Sequence, residues 1–263
     1  MNARTSHRTR AIVLHTLDYG ESDRIATLYT QDFGKLKGIA KGARRSRRRF
    51  ANALEPFSFT TVHFSRRGSD ALAFLDQCEI IEHYPGIREN LEKSMTASYL
   101  TELTGAFTAE GKKNEAVFQL LIDFLAFLEK RPLLPGLLSF FELRLLGLAG
   151  YEPVLDRCTA CHNPLEAART YRFSNSRGGI MCSRCETPPS SAPPLSLGTI
   201  RSLLHGRSVP VQQLSRLVLS RQTDEEARLL LVSFIRHLLG RELRSWEVLR
   251  QLRQMGALGG NTC

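Results

Sequence analysis

Apolar and polar residues alternate with a period of two through the first eighty residues, and the chain then changes rhythm. Alternating or β-branched runs occur at 8–17 (RTRAIVLHTL), 24–30 (RIATLYT), 35–41 (KLKGIAK), 57–65 (FSFTTVHFS) and 71–83 (ALAFLDQCEIIEH). Turn residues separate them: Gly20 in DYGESDR, Gly34 in QDFGK, and RRGSD at 66–70. A longer loop, GARRSRRRFANALEP, spans 42–56. Such a pattern predicts five short strands with no long helix between them. A five-stranded OB-type barrel is the economical way to close such a sheet, because closure removes exposed edges.

After Tyr84-Pro85-Gly86 the apolar residues recur at helical spacing. The spacing predicts helices over 87–107, 114–129 and 136–149, the second carrying Val117, Leu120, Leu121, Phe124, Leu125 and Leu128 on one stripe. TPPSSAPP at 187–194 can be neither helix nor inner strand and reads as a linker. Helical patterns resume at 197–205, about 211–220 and 223–239, the last opened by a capping box from Thr223 to Glu226. RELRSWEVLRQLRQ closes the pattern as a basic amphipathic helix. The expected fold class is therefore α+β and multidomain. Its parts are a barrel over 1–83, a helical domain begun at 84–150, an inserted module at 151–190, and a linker with the remaining helices over 191–263.

Charge sharpens this picture. The net charge is +10 at pH 7. Residues 1–83 carry 14 Lys/Arg against 9 Asp/Glu, residues 84–199 carry 12 against 12, and residues 200–263 carry 10 against 5. Two basic ends flank a neutral middle, which points to a polyanionic partner, either nucleic acid or an acidic membrane surface. The N-terminal MNARTSHRTR lacks an apolar run behind its basic residues, so no signal peptide is expected. The most apolar stretch, 133–150, contains Pro135, Glu142 and Arg144 and fits a buried helix better than a membrane span. A reducing cytoplasmic setting follows, where cysteines serve as metal ligands or catalysts more often than as disulfides.

Four of the six cysteines are arranged. Cys158, Cys161, Cys182 and Cys185 read C-x2-C-x20-C-x2-C, with a strand-like TYRF and a turn-like SRGG between the pairs. Two residues between cysteines let both thiolates of a knuckle turn onto one ion, and two knuckles complete a tetrahedral site. The expectation is one structural Zn²⁺ in a zinc-ribbon-like module; two disulfides or four unrelated thiols are the alternatives. Four thiolates leave no open position for water, so the site is read as scaffold. His162 is not counted as a ligand, Cys78 reads as a small buried hydrophobe, and Cys263 as a surface thiol.

Signals for chemistry are missing. There is no P-loop, no G-x-S-x-G and no H-E-x-x-H. Asp32-Phe33-Gly34 reads as a hairpin turn. Asp18, Glu21 and Asp23 cluster at one turn, where acidic residues usually cap backbone amides and less often bind Mg²⁺. The pattern argues for a binding protein.

The densest charge lies at 39–50, IAKGARRSRRRF, with one lysine and five arginines in twelve residues. Most charge runs are solvated loops. Here the run falls in a loop of an OB-type barrel, and such barrels bind nucleic acid with one face and adjoining loops. Lys35, Lys37 and Lys41 share strand parity and face one way, as do Arg8 and Arg10. Candidate DNA contacts are thus Arg8, Arg10, Lys35, Lys37, Lys41, Arg44, Arg45, Arg47, Arg48 and Arg49. Tyr19, Tyr29 and Phe50 are the nearby aromatics that stand either in the core or under stacked bases.

Residues 17–57 resemble the opening of the RecO family of bacterial recombination mediators. The marks are Tyr19-Gly20-Glu21-Ser22-Asp23, Tyr29-Thr30, Gly34, Ala40-Lys41-Gly42-Ala43-Arg44-Arg45 and Leu54-Glu55-Pro56-Phe57. The later cysteine set in a helical context fits as well. The resemblance implies an OB-fold, a helical domain and a zinc insert, and a function without catalysis. Such proteins bind single- and double-stranded DNA and anneal complementary strands coated by single-stranded DNA-binding protein (SSB). With RecR they help to load RecA, and they contact the acidic, apolar C-terminal tail of SSB. Lys41, Arg44 and Arg45 match the motif directly, while Arg47, Arg48 and Arg49 extend it by charge. A pocket for that tail needs basic groups beside apolar ones, and Lys130-Arg131 at a helix end is the candidate pair. The resemblance also implies work in the cytoplasm at the nucleoid. Two other readings stay open: a Mg²⁺-dependent nuclease built on Asp18, Glu21 and Asp23, and a zinc-ribbon regulator reading duplex sequence.

Overall fold

The computed structural model of the chain describes residues 5–66, 72–167, 169–186, 192–217 and 219–254. The turn at 66–70, most of the linker at 187–194 and Cys263 therefore lie largely or wholly outside the described residues. The chain divides into two compact units: one is residues 1–131 together with 244–263, the other 132–243.

In the first unit five strands close a barrel: β1 (Thr5–Tyr19), β2 (Asp23–Thr30), β3 (Gly34–Ala40), β4 (Phe59–Arg66) and β5 (Ala73–Glu82). Their order is β1-β2-β3-β5-β4, antiparallel throughout except for the β3–β5 pair. The expected OB-type barrel is present. Its first strand is longer than the pattern 8–17 suggests because it serves two neighbours. Residues Thr5–Ile12 pair with β4 and Ala11–Tyr19 with β2, and a bulge between Val13 and His15 lets the strand bend from one to the other.

The interior follows the alternation. Ala11, Val13, Ala26, Leu28, Leu36, Ala40, Val62, Phe64 and Leu75 fill the barrel. Small and large residues alternate because strands crowd at the barrel axis; a Cβ on Gly38 would meet Leu75 Cδ2 at 2.6 Å. Ala43, Phe50, Ala53 and Leu54 of the long loop belong to the same core.

Outside the barrel lie α1 (Pro85–Arg88), α2 (Leu91–Phe107), α3 (Glu115–Lys130) and, at the far end of the sequence, α7 (Arg244–Gln254). The helix expected over 87–107 is two helices. Asn90 interrupts it, accepting the Lys93 N–H to cap α2, as Asn114 caps α3 through Val117. Part of the outer barrel surface is covered by these helices. Ile12 and Tyr29 are fully buried there, Tyr29 and Phe59 approach Phe118 of α3, and the Tyr29 hydroxyl donates to the Asn114 carbonyl. α7 lies along α2, with the Tyr99 and Trp246 rings 5.6 Å apart and Glu102 accepting N–H groups from Arg244 and Ser245.

The second unit contains α4 (Leu137–Leu148), the strands β6 (Tyr171–Ser174), β7 (Gly179–Cys182) and β8 (Pro194–Leu195), then α5 (Leu197–Ser208) and α6 (Arg221–Leu239). α4 packs against both α5 and α6. The helix expected at 211–220 is a 3₁₀ segment, Val211–Arg216, whose buried Val211 and Leu214 sit three apart on one edge. The expected capping box is absent. α6 begins two residues earlier, capped by Ser220, and Glu226 instead accepts from Ser196 N and Thr199 Oγ1 at the start of α5.

Candidate nucleic-acid interface and metal centre

The arginine run is anchored at both ends. Ala43 and Phe50 are buried in the barrel core, at 9% and 3% exposure, so the six residues between them are forced outward. Gly42 opens the turn with φ 67°, in the left-handed region that a side chain disfavours. The Arg44 N–H is held by the Ser22 carbonyl, and the Arg49 carbonyl accepts from Cys78 N at 2.8 Å. Each end of the run is therefore tied to a strand or hairpin of the barrel.

Acidic residues fix some of the cations. Lys41 pairs with Asp23 at 2.8 Å, and the other Asp23 oxygen accepts the Gly42 N–H. The Lys41 contact, then the Gly42 N–H, hold the Asp23 carboxyl below its usual range. Arg44 lies 3.4 Å from Asp18 and donates to the carbonyls of Gly20 and Glu21. Arg24 bridges Asp18 and Glu55. Arg49 donates to the Lys41 carbonyl and stacks over Phe50. Arg45, Arg47 and Arg48 are exposed, and among the described residues no ion pair holds their guanidinium groups. Three free cations thus stand on a frame made by the others. Asp18, Asp23 and Glu55 are the struts of that frame: the sequence reading of the acidic turn residues as caps of backbone amides fits the Asp23–Gly42 contact, whereas the ion pairs, and Glu55 altogether, were missed because they depend on which strands meet.

The remaining candidates separate. Lys37 is exposed on β3, opposite Thr27. Lys35 is half-buried; its ammonium donates to the Gly105 carbonyl in the last turn of α2 at 2.8 Å, and burial lowers its pKa. Arg8 and Arg10 are exposed on the β4-paired half of β1, with Arg10 donating to Gln31. The other end of that strand meets the loop, so they form a separate patch. Of the three aromatics, Tyr29 and Phe50 are core and Tyr19 alone is exposed. Lys130 and Arg131 are exposed at the end of α3.

The second centre is built by a hairpin. β6 and β7 pair through Tyr171↔Cys182 and Phe173↔Ile180, and the Thr159 N–H donates to the Ile180 carbonyl at 2.8 Å, which brings the second knuckle to the first. The four sulfurs lie within 4.8 Å of one another, and Cys158 and Cys182 are buried. This set could hold a metal ion. Among the described residues it is the one such cluster of ligating side chains; Asp18 and Asp23 face cations instead. The donor chemistry fits a metal. Burial pushes the Cys158 thiol up, but the backbone N–H groups of Cys161, Cys182 and Ala160 outweigh it and hold the thiol at about 6. N–H groups aimed at a sulfur stabilise a thiolate, the form that binds metal. Gly179 is required where the hairpin meets the first knuckle: a Cβ there would lie 2.6 Å from Thr159 Cγ2 and 2.7 Å from the Val154 carbonyl.

No described helix is long and apolar enough to cross a membrane. The architecture defines an OB-barrel protein with a basic loop, joined to helices that carry a four-cysteine module. The family model described as Recombination protein O N terminal matches residues 1–84, and Recombination protein O C terminal matches 88–247. The chain is 44% identical over 258 residues to the DNA repair protein RecO of Syntrophus aciditrophicus (strain SB), covering 97% of this chain and all of that one. It is 38% identical over 247 residues to the DNA repair protein RecO of Geobacter metallireducens, covering 94% of this chain and 98% of the relative. The protein of the same name from Anaeromyxobacter dehalogenans (strain 2CP-C) is 34% identical over 249 residues, or 95% and 97% of the two chains. The chain belongs to the RecO family of DNA repair and recombination proteins.

Proposed function

We propose that this chain is a DNA-binding recombination mediator that performs no covalent chemistry. It binds single- and double-stranded DNA through the ridge of Arg45, Arg47 and Arg48, seated on Lys41, Arg44 and Arg49 and flanked by Lys37. Arg8 and Arg10 offer a second, separate phosphate contact, whereas Lys35 serves the fold. The observation that carries this reading is the burial of Ala43 and Phe50, which holds three unpaired guanidiniums in solvent. A loop meant only to be solvated needs no such anchoring.

The physical role follows from charge. Two DNA strands repel through their phosphates. Cations held on a rigid frame lower that repulsion without further ordering cost, and each neutralised phosphate releases counterion. Contacts to the backbone bring little sequence preference. The chain would thereby anneal complementary strands coated with SSB and, with RecR, promote RecA loading. The acidic C-terminal tail of SSB is its further partner, and its work lies in the cytoplasm at the nucleoid, not at a membrane. Cys158, Cys161, Cys182 and Cys185 hold one structural Zn²⁺, which cross-links the 151–190 module and supplies no reaction step.

The test is annealing of complementary oligonucleotides coated with SSB, with wild type and with Arg44, Arg45, Arg47, Arg48 and Arg49 all changed to alanine. The proposal expects the folded variant to lose annealing and DNA binding together. Annealing at the wild-type rate would move the DNA surface elsewhere, and sustained strand cleavage would overturn the non-catalytic reading.

A further inference from the structure

Between the bulge of β1 and its end, the residues on the outer face of the barrel are His15, Leu17 and Tyr19. They pair with Thr27, Ile25 and Asp23 of β2, and the rows continue to Lys37 and Ile39 of β3. Helices cover the other part of this face, where Tyr29 and Lys35 lie. This part is mixed: His15, Asp23, Thr27 and Lys37 are polar and Ile39 is buried, but two apolar side chains stand out in solvent. Leu17 is 53% exposed and Tyr19 55% exposed, two residues apart on one face. Ile25, half-buried, backs Leu17 across the strand pair.

A solvated sheet face normally presents polar side chains. Here an aliphatic and an aromatic surface lie side by side, with cations at their borders. Lys37 stands one row away. Lys41 sits at the Tyr19 end, 2.8 Å from Asp23, the residue that pairs with Tyr19 across the strands.

We propose that Leu17 and Tyr19 form a shelf that seats unstacked bases of a single strand, while Lys37 and Lys41 track its phosphates. This deepens the DNA-binding reading and rests on it. The occupant is fixed by the pairing of an open π-face with bordering cations: a base has a face to offer only when its strand is single, and its backbone brings the matching charge. In a duplex the same bases are stacked on each other and only the phosphates remain to be held. The shelf therefore confers a preference for single strands that the arginine ridge alone does not have.

The experiment uses the full, zinc-loaded chain and three labelled probes of equal length: a mixed-sequence single strand, an abasic single strand and a blunt duplex. Affinities are read by fluorescence anisotropy for wild type, the double variant Leu17→Ala/Tyr19→Ala, and Tyr19→Phe. Wild type should bind the base-bearing strand more tightly than the abasic one. The double variant should lose about tenfold on the base-bearing strand, the scale of one stacked base, and keep its affinity for the abasic strand and the duplex. Tyr19→Phe, which keeps the ring, should stay within about twofold of wild type. Retained duplex binding also reports that the variant is folded. If the double variant binds the base-bearing strand as wild type does, or loses all three probes alike, the shelf is not a base platform. If wild type binds none of the probes, the DNA-binding reading itself falls, and the shelf with it.

Discussion

Asp23 holds Lys41 at 2.8 Å with one carboxylate oxygen and the backbone of Gly42 with the other, so a single acid sets the start of the basic loop. Replacing it separates two effects of opposite sign. Asp23→Asn adds one unit of positive charge, which by steering alone would tighten DNA binding. It also removes the strut, and a frame that must be ordered at binding costs affinity. We predict that the second effect wins and that the variant binds DNA about threefold more weakly. Because the folded-state pKa of Asp23 lies below its ordinary value, its contribution is fully present above the usual Asp range near 3.9. It is lost only as pH falls through the lower folded value. Binding measured from pH 7 down to 5 should therefore show no loosening from this group.

Lys35 tests whether sequence parity alone identifies a DNA contact. Its ammonium closes the end of α2 at Gly105. Lys35→Met should lower stability by about 1 kcal/mol, a charged hydrogen bond discounted for partial exposure, and leave the salt dependence of DNA binding unchanged. A denaturant titration beside a binding titration checks both halves.

Metal should be integral to the second unit. Purified protein should carry one zinc per chain, and Cys158→Ser should carry none. Chelation should expose the amides of residues 154–186 to hydrogen exchange, because the sulfurs of both knuckles converge where a four-residue hairpin ladder and a few backbone bonds hold the module. DNA affinity should stay within about twofold if the arginine ridge, in the other unit, carries the binding.

Gly179→Ala reaches the same module without touching a ligand. Its Cβ would strike Thr159 and the Val154 carbonyl, and overpacking of this kind costs about 1–3 kcal/mol. The expected outcome is faster zinc release to a chelator than from wild type.

Some of this was legible in the chain and some was not. The barrel was, because five alternating runs and their turn residues are local signals. The cysteine site was, because two-residue spacing is itself the geometry of a knuckle. The division of labour among the cations was not. Lys35, Lys37 and Lys41 share parity, yet a helix distant in sequence covers Lys35 and an acid across the hairpin takes Lys41. The choice among aromatics likewise depends on what packs over each ring: Tyr29 lies beneath α3, Phe50 plugs the barrel, and Tyr19 stays in solvent. The start of α6 was misplaced because Ser220 and Thr223 both suit a cap, and tertiary contacts to α5 decide where Glu226 goes.

The most direct measurement is the salt dependence of single-strand affinity for wild type and for Arg45→Ala/Arg47→Ala/Arg48→Ala. These three side chains carry no ion pair among the described residues, so removing them should leave the fold intact. At about 0.7 per phosphate contact, the log–log slope should become shallower by about 2, with weaker binding near physiological salt. An unchanged slope and affinity in the folded variant would contradict the account, because the ridge would then be in solvent without touching DNA.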